Sequence, residues 1–402
     1  MKKWLSVIGI GEDGLSGVSP QGRALIDAAE VVIGGERHLA MLPDSHGATR
    51  MTWKSPLTDT IDDIRALEGK PVVVLATGDP MSFGIGVTLG KAFGHEPLTV
   101  LPAIGAFSLA AARLGWPLQA ADVDCLTLHG RPLAMVNLHI RPGARLLILA
   151  EDGGTAEILA RHLTAMGYGD SQITVLEHLD GTKEKHISGI ARDWSHPRGA
   201  DLNTIAIICL ADPENRPLSR LAGLPDDAFA HDGQLTKREV RAATLASLAP
   251  QPGQLLWDVG GGCGSVAIEW MRAGGRAITI EKNPARIAMI RENADRLGVP
   301  LLKIIEGEAP KVLKDLPRPD AIFIGGGLTA NDMFESCWKA LSAGGRLAAN
   351  AVTLEGEAKL LESREKWGGQ MSRIAVSREQ AVGPLKGWKP LMAVTHLIAF
   401  KG

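Results

Sequence analysis

Short apolar runs recur along this chain, each closed by glycine or an acidic residue and followed by a stretch of helical spacing. This alternation constrains the fold more than any other feature. In the first half the runs are 4–11, 30–35, 71–80, 98–106, 145–154, 173–179 and 202–212; in the second they are 254–264, 276–283, 301–310, 320–327, 346–352, 372–380 and 390–400. Runs of this length are those of buried strands, and strands alternating with amphipathic helices predict an α/β fold with parallel sheet. The stretches 265–273, 285–298 and 331–345 have helical spacing and end at or beside glycine, as helix C-termini prefer.

Composition fixes the scale. The 402 residues are 45 % hydrophobic and 22 % charged, enough chain for two or three domains, each with its own core. Glycine is abundant at 47 and aromatic residues are scarce at 4 %, which suits many tight strand-to-helix turns and fits a β-sandwich poorly. The segment from Asp212 to Gln234, rich in proline and aspartate, reads as an interdomain linker. The expected domains are therefore 1–212 and 231–402, joined by a linker at 213–230. A weaker break at 120–145 predicts that the first domain splits into lobes of about 1–115 and 120–212.

Forty-three basic against 45 acidic residues leave a net charge of −2, so no global field recruits nucleic acid or an anionic membrane. Cys125, Cys209, Cys263 and Cys337 are scattered, with no CxxC pair and no nearby histidine cluster. Four free thiols, no metal site and a reducing, cytoplasmic location are expected. No apolar run approaches the length of a membrane span.

Asp258-Val259-Gly260-Gly261-Gly262-Cys263-Gly264 lies between an apolar run and a helical stretch and has the form DxGxGxG. Such a turn lets a nucleoside lie against backbone, and Glu281 closes the next strand where a carboxylate accepts ribose hydroxyls. A dinucleotide fingerprint needs glycine at 265, which is Ser265 here. The spacing and Asp258 fit S-adenosylmethionine, whose cationic amine and sulfonium favour carboxylate company; NAD is the alternative. Glu308 and the Gly325–Gly327 turn end the following strands, and Asn350 ends the fifth on the same rim. Thr236 is expected to cap a helix with Glu239 at its capping-box position, and Lys237, Arg238 and Arg241 there suit either a solvated face or a polycarboxylate substrate. In the first half, Thr77-Gly78-Asp79-Pro80 turns sharply after an apolar strand, and Gly105-Ala106 offers small residues at the next strand end.

These segments resemble a known family. VIGIGEDGLSGVSPQGRALIDAAEVVIGGERHL (7–39), VLATGDPMSFGIG (74–86) and AFSLAAARLGWP (106–117) resemble the tetrapyrrole methylases that act on precorrin rings. TKREVRA (236–242), LLWDVGGGCGSVAIEW (255–270), IEKNPARI (280–287), EGEAP (306–310) and IFIGGG (322–327) resemble their class I methyltransferase partner in corrin synthesis. The resemblance implies a two-lobed tetrapyrrole methylase domain followed by a Rossmann-like class I S-adenosylmethionine-dependent methyltransferase domain. It further implies methylation of a precorrin at carbons 5 and 15, loss of carbon dioxide from the ring C acetate, and a role in cobalamin biosynthesis. Two S-adenosylmethionine molecules per chain are expected. Their contacts are Thr77, Gly78, Asp79, Gly105 and Ala106 in the first half and Thr236, Asp258, Gly260, Gly262, Gly264, Glu281 and Glu308 in the second. Thr77 stands where the family often has serine or glycine, and Gly105 where serine or threonine is usual. Glu239, Arg241 and Asn350 are the catalytic candidates. A homo-oligomer acting on a small-molecule tetrapyrrole, with no nucleic acid and no membrane partner, is expected. A nicotinamide oxidoreductase, or a methyltransferase acting on another substrate such as RNA, is the alternative.

Overall fold

The computed structural model describes residues 3–402 and divides into two compact units. The first runs to Arg131 and resumes over Arg141–Asn215; the second comprises Pro132–Ile140 and Arg216–Gly402.

The first unit contains two five-stranded sheets. In one, β1 (Leu5–Ile10), β2 (Val31–Ile33), β3 (Thr49–Met51), β4 (Val72–Thr77) and β5 (Leu98–Leu101) lie in the order β3-β2-β4-β1-β5, all parallel. Buried valine, isoleucine and leucine from β1, β2 and β4 pack against helices on both faces, as a fully covered parallel sheet requires. In the other, β6 (Val123–Thr127), β7 (Arg145–Leu149), β8 (Gln172–Glu177), β9 (Lys185–Ile190) and β10 (Asn203–Ile208) lie in the order β6-β7-β10-β8-β9. Only β6 and β7 are parallel there. The strands β3, β6 and β9 have no counterpart among the apolar runs of the sequence. All three are edge strands, and β3 and β9 are largely exposed, so they need no continuous apolar stretch.

The second unit is a seven-stranded sheet formed by β11 (Leu255–Val259), β12 (Arg276–Glu281), β13 (Lys303–Glu306), β14 (Ala321–Ile324), β15 (Arg346–Ala351), β16 (Gln370–Ile374) and β19 (Val394–Phe400). The order is β13-β12-β11-β14-β15-β19-β16, with the first five strands parallel and β19 antiparallel between β15 and β16. A separate hairpin, β17 (Ser377–Val382) and β18 (Leu385–Pro390), stands apart from this sheet. The run 372–380 therefore spans two strands rather than one. The strand order reverses at β11, with β12 and β13 laid to one side and β14 and β15 to the other, and the crevice lies at the carboxyl ends of β11 and β14.

The proline-rich segment is not a free spacer. Leu224 and Phe229 are 2 % and 3 % exposed and join the core that contains Trp270 and Phe323. Two isolated anchors among prolines and aspartates give no periodic signal, which is why the sequence reads as linker. Among the described residues no helix is long and apolar enough to cross a membrane, and no group of three or more histidine, cysteine or acidic residues is placed to hold a metal ion.

Candidate active site

The DxGxGxG turn follows β11 directly and leads into the helix Ser265–Arg272. Gly260 has φ +74°, and a Cβ there would lie 2.8 Å from the backbone of Gly326, so the turns after β11 and β14 meet glycine against glycine. Gly262 has φ +59°, but a Cβ on it would meet only the Gln234 carbonyl, at 3.3 Å. Its open side faces a cavity of about 520 Å³, within the usual range for small-molecule sites.

Thr236, Asp258, Gly260, Gly262, Glu281, Glu308 and Asn350 all line this cavity. Asp258 is buried and accepts a hydrogen bond from the Ala267 amide at 3.2 Å. Burial pushes its carboxyl up to about 7, opposed by that amide and reinforced by the charge of Glu281. Glu281, 5 % exposed at the end of β12, accepts from the amides of Gly262, Lys282 and Asn283, each at 2.9 Å. A carboxylate has about four lone-pair directions, so one remains unused. Glu308 is exposed and pairs with Lys282 and Lys311 at 3.3 and 3.1 Å. Gly264 turns away from the cavity and packs against Ile290.

Two catalytic candidates lie elsewhere. Arg241 is fully buried; it pairs with Glu269 at 2.6 Å, donates to the carbonyls of Leu224 and Thr236, and stacks on Phe229 at 4.8 Å. Glu239 is exposed, outside the cavity lining, and pairs with Arg378 at 2.6 Å. Arg241 thus holds the segment before the helix to the helix that follows the glycine turn, and Glu239 belongs to a surface ion pair. Thr236 is not a helix cap either. The helix is Arg238–Leu248 with Lys237 at the cap position, and the Arg238 amide is satisfied by Asp226 Oδ1 at 2.9 Å.

Other lining residues lie within the apolar runs and motifs of the sequence but were not among the expected site residues. Val376, Leu391, Met392 and Val394, flanking the hairpin, present apolar surface, while Lys282 and Arg286 add cationic side chains.

In the first unit the turns after β4 and β5 abut: a Cβ on Gly78 would lie 3.2 Å from Gly105 Cα, and one on Gly105 would lie 3.4 Å from Asp79 Cβ. Asp79 Oδ1 accepts from the Met81 amide at 2.8 Å, and Ala106 opens the helix Ala106–Leu114. Thr77, Gly78, Asp79, Gly105 and Ala106 are thereby brought together. Beside them Thr77 Oγ1 lies 3.2 Å from His38 Nε2 and 3.2 Å from an Arg37 guanidinium nitrogen. Arg37 pairs with Glu12, which also contacts His178 at 2.8 Å. Burial holds His38 down at about 4, with the Arg37 charge adding to the effect. Sequence reasoning missed this polar cluster because Glu12, Arg37 and His178 are far apart along the chain.

Comparison with known proteins places the chain in a family. A model of the tetrapyrrole (corrin/porphyrin) methylases matches residues 5–191, and one of the precorrin methyltransferase domain matches residues 227–401. A protein of Sinorhizobium sp., named precorrin-6Y C(5,15)-methyltransferase [decarboxylating], is 48 % identical over 99 % of this chain and 97 % of its own length. The chain belongs to the precorrin-6Y C(5,15)-methyltransferases. Two shorter relatives of this precorrin methyltransferase chain carry single activities in their names. A probable cobalt-precorrin-6B C(15)-methyltransferase (decarboxylating) of Saccharolobus solfataricus is 34 % identical over 37 % of this chain and 78 % of its own. A cobalt-precorrin-7 C(5)-methyltransferase of Salmonella typhimurium is 33 % identical over 51 % of this chain and 98 % of its own.

The methyl donor of the family is S-adenosylmethionine, and the second-unit cavity fits it. Carboxylates stand at the ends of β11 and β12, and backbone without side chains lines the turn between them. The cations at its edge are drawn outward: Lys282 is largely exposed and pairs with Glu308, and Arg286 pairs with Asp232 at 2.8 Å.

Proposed function

We propose that this chain transfers two methyl groups to a precorrin macrocycle, at carbons 5 and 15, and removes carbon dioxide from the ring C acetate, within cobalamin biosynthesis. The observation that carries the reading is the presence, in one chain, of two different glycine-rich strand-end sites on two sheets of unlike topology. We assign carbon 15 and the decarboxylation to the second unit and carbon 5 to the first. Relatives with single activities support a division of this kind. The absence of a net positive charge fits a small-molecule substrate better than RNA, and the four unpaired thiols fit the reducing cytoplasm.

When bound, S-adenosylmethionine supplies a methyl group activated for attack by an electron-rich ring carbon. Glu281 would hold the nucleoside by its ribose, and the Gly260–Gly262 turn would lie against it. Val376, Leu391 and Val394 give the cavity an apolar lining, and positioning of the reactants supplies much of the acceleration. In the decarboxylation the carbon–carbon bond to the carboxylate breaks, its electron pair enters the conjugated ring, and the remaining methylene carbon takes up a proton.

Mass spectrometry of a precorrin substrate after reaction tests the function: two methyl groups are gained and one carbon dioxide is lost. Calorimetry with S-adenosylhomocysteine is expected to give two sites per chain, and a single site defeats the two-centre reading. Glu281→Gln is expected to weaken only one of those sites, by about 1.5–3 kcal/mol, the worth of a charge-assisted hydrogen bond. Glutamine is the informative replacement because alanine strands three amides at once. Equal weakening at both sites, or none, removes Glu281 from the ribose.

A further inference from the structure

Asn350 and His396 face each other directly across β15 and β19. Asn350 lines the cavity, whereas His396, 3 % exposed, lies behind it. Asn350 Nδ2 donates to Thr244 Oγ1 at 3.0 Å, so its Oδ1, which is 2.7 Å from His396 Nδ1, must accept. Nδ1 therefore donates and carries a ring proton, and burial lowers the pKa of the imidazole. Nε2 lies 3.2 Å from Ser247 Oγ on the helix Arg238–Leu248, which also provides Thr244. Thr244 is fully buried. Buried polar groups must be hydrogen-bonded, and the bonds of Thr244 and His396 both end on the one amide of Asn350. Its second N–H makes no hydrogen bond among the described residues, and Lys237 lines the same cavity.

We propose that Asn350 donates this N–H to a carboxylate oxygen of the macrocycle bound in the second unit, and that His396 is the positioning residue that keeps the amide turned with its nitrogen towards the substrate. The proposal rests on the precorrin reading above. It assigns His396, in the middle of an apolar strand, a part in substrate recognition without contact to substrate.

The test is steady-state kinetics of carbon-15 methylation by the full chain with Asn350→Leu, His396→Asn and His396→Gln. Asparagine at 396 can place an amide N–H where Nδ1 stands, and glutamine places one near Nε2 instead. Asn350→Leu is expected to raise KM for the macrocycle about tenfold or more, the ordinary value of a hydrogen bond to a charged group, with little change in kcat. His396→Gln is expected to follow it, and His396→Asn to remain within about threefold of the parent protein, since a satisfied orientation costs nothing further. A merely structural histidine gives the two amides equal effects, and that result overturns the proposal, as does an unchanged KM in Asn350→Leu. Unchanged S-adenosylhomocysteine affinity in the variants confirms that cofactor binding in the cavity is intact. If the parent chain methylates no precorrin, the functional reading itself fails and takes this proposal with it.

Discussion

Gly262→Val is expected to remove methylation at carbon 15, and decarboxylation with it, while transfer to carbon 5 continues. Two effects combine at this position. The backbone lies at φ +59°, where a β-branched residue is strained by roughly 1–3 kcal/mol. The new side chain also projects into the cavity, where only the Gln234 carbonyl stands near it, so the isopropyl group takes the volume the cofactor needs. The Gly262 amide donates to Glu281, so any shift of the turn also disturbs the ribose acceptor. Loss of the close approach together with that hydrogen bond is expected to weaken binding by roughly 100-fold or more, about 2.7 kcal/mol. Calorimetry with S-adenosylhomocysteine reads this as one site remaining out of two. Supplying the decarboxylated, carbon-15-methylated macrocycle to the variant prevents ordered chemistry from imitating a double loss. Normal carbon-15 methylation by the variant refutes the assignment of that reaction to this turn.

The complementary substitution lies in the first unit. Asp79→Ala removes the acceptor of the Met81 amide in the turn that abuts Gly105. It is expected to slow carbon-5 transfer and leave both S-adenosylhomocysteine binding and chemistry in the second unit unchanged. A product methylated once and decarboxylated then accumulates, detected by mass spectrometry. Loss of carbon-15 methylation in this variant contradicts the division of labour.

What the sequence made legible follows from burial. Strands enclosed on both faces, such as β1, β4, β11 and β14, are continuous apolar runs and announce themselves. The glycine turn and Glu281 are equally visible, because sharp strand-to-helix geometry restricts residue choice and a strand-end carboxylate has a fixed place in the pattern. Edge strands escape, since one side of β9 faces solvent and its Lys185 and His186 break the run. The hairpin β17–β18 escapes for a similar reason: Val382, Leu385 and Trp388 are 65 %, 72 % and 77 % exposed, so no burial pattern orders them. His396 was hidden in the opposite way, as one polar residue within an apolar strand, and only the register against Asn350 gives it a purpose. Arg241 misled because the charges around it are exposed; one arginine in a basic cluster carries no mark of burial.

That arginine supports a second large expected effect. Arg241→Ala is expected to destabilise the second unit by about 3–5 kcal/mol, since Glu269, with 1 % of its side chain exposed, keeps a buried charge without its partner. A buried ion pair replaced as a whole by apolar residues is often neutral, but here the surroundings forbid that outcome. Glu269 also accepts from the amides of Gly223 and Leu224 at 2.6 and 3.0 Å, and Arg241 also donates to the carbonyls of Leu224 and Thr236. The double variant Arg241→Leu, Glu269→Leu therefore strands four backbone groups, each costing about 1–3 kcal/mol when buried and unsatisfied. It is expected to be no more stable than Arg241→Ala alone. The same clamp predicts that a fragment beginning at residue 231, which lacks Leu224 and Phe229, unfolds more readily than one beginning at residue 216. Hydrogen exchange of the full chain over 216–230 and 238–248 measures the loss directly, as protection falling together in both segments. If the double variant regains the parent's protection, the pair is a replaceable filler of the core, and the clamp between the segment before the helix and the glycine-turn helix does not exist.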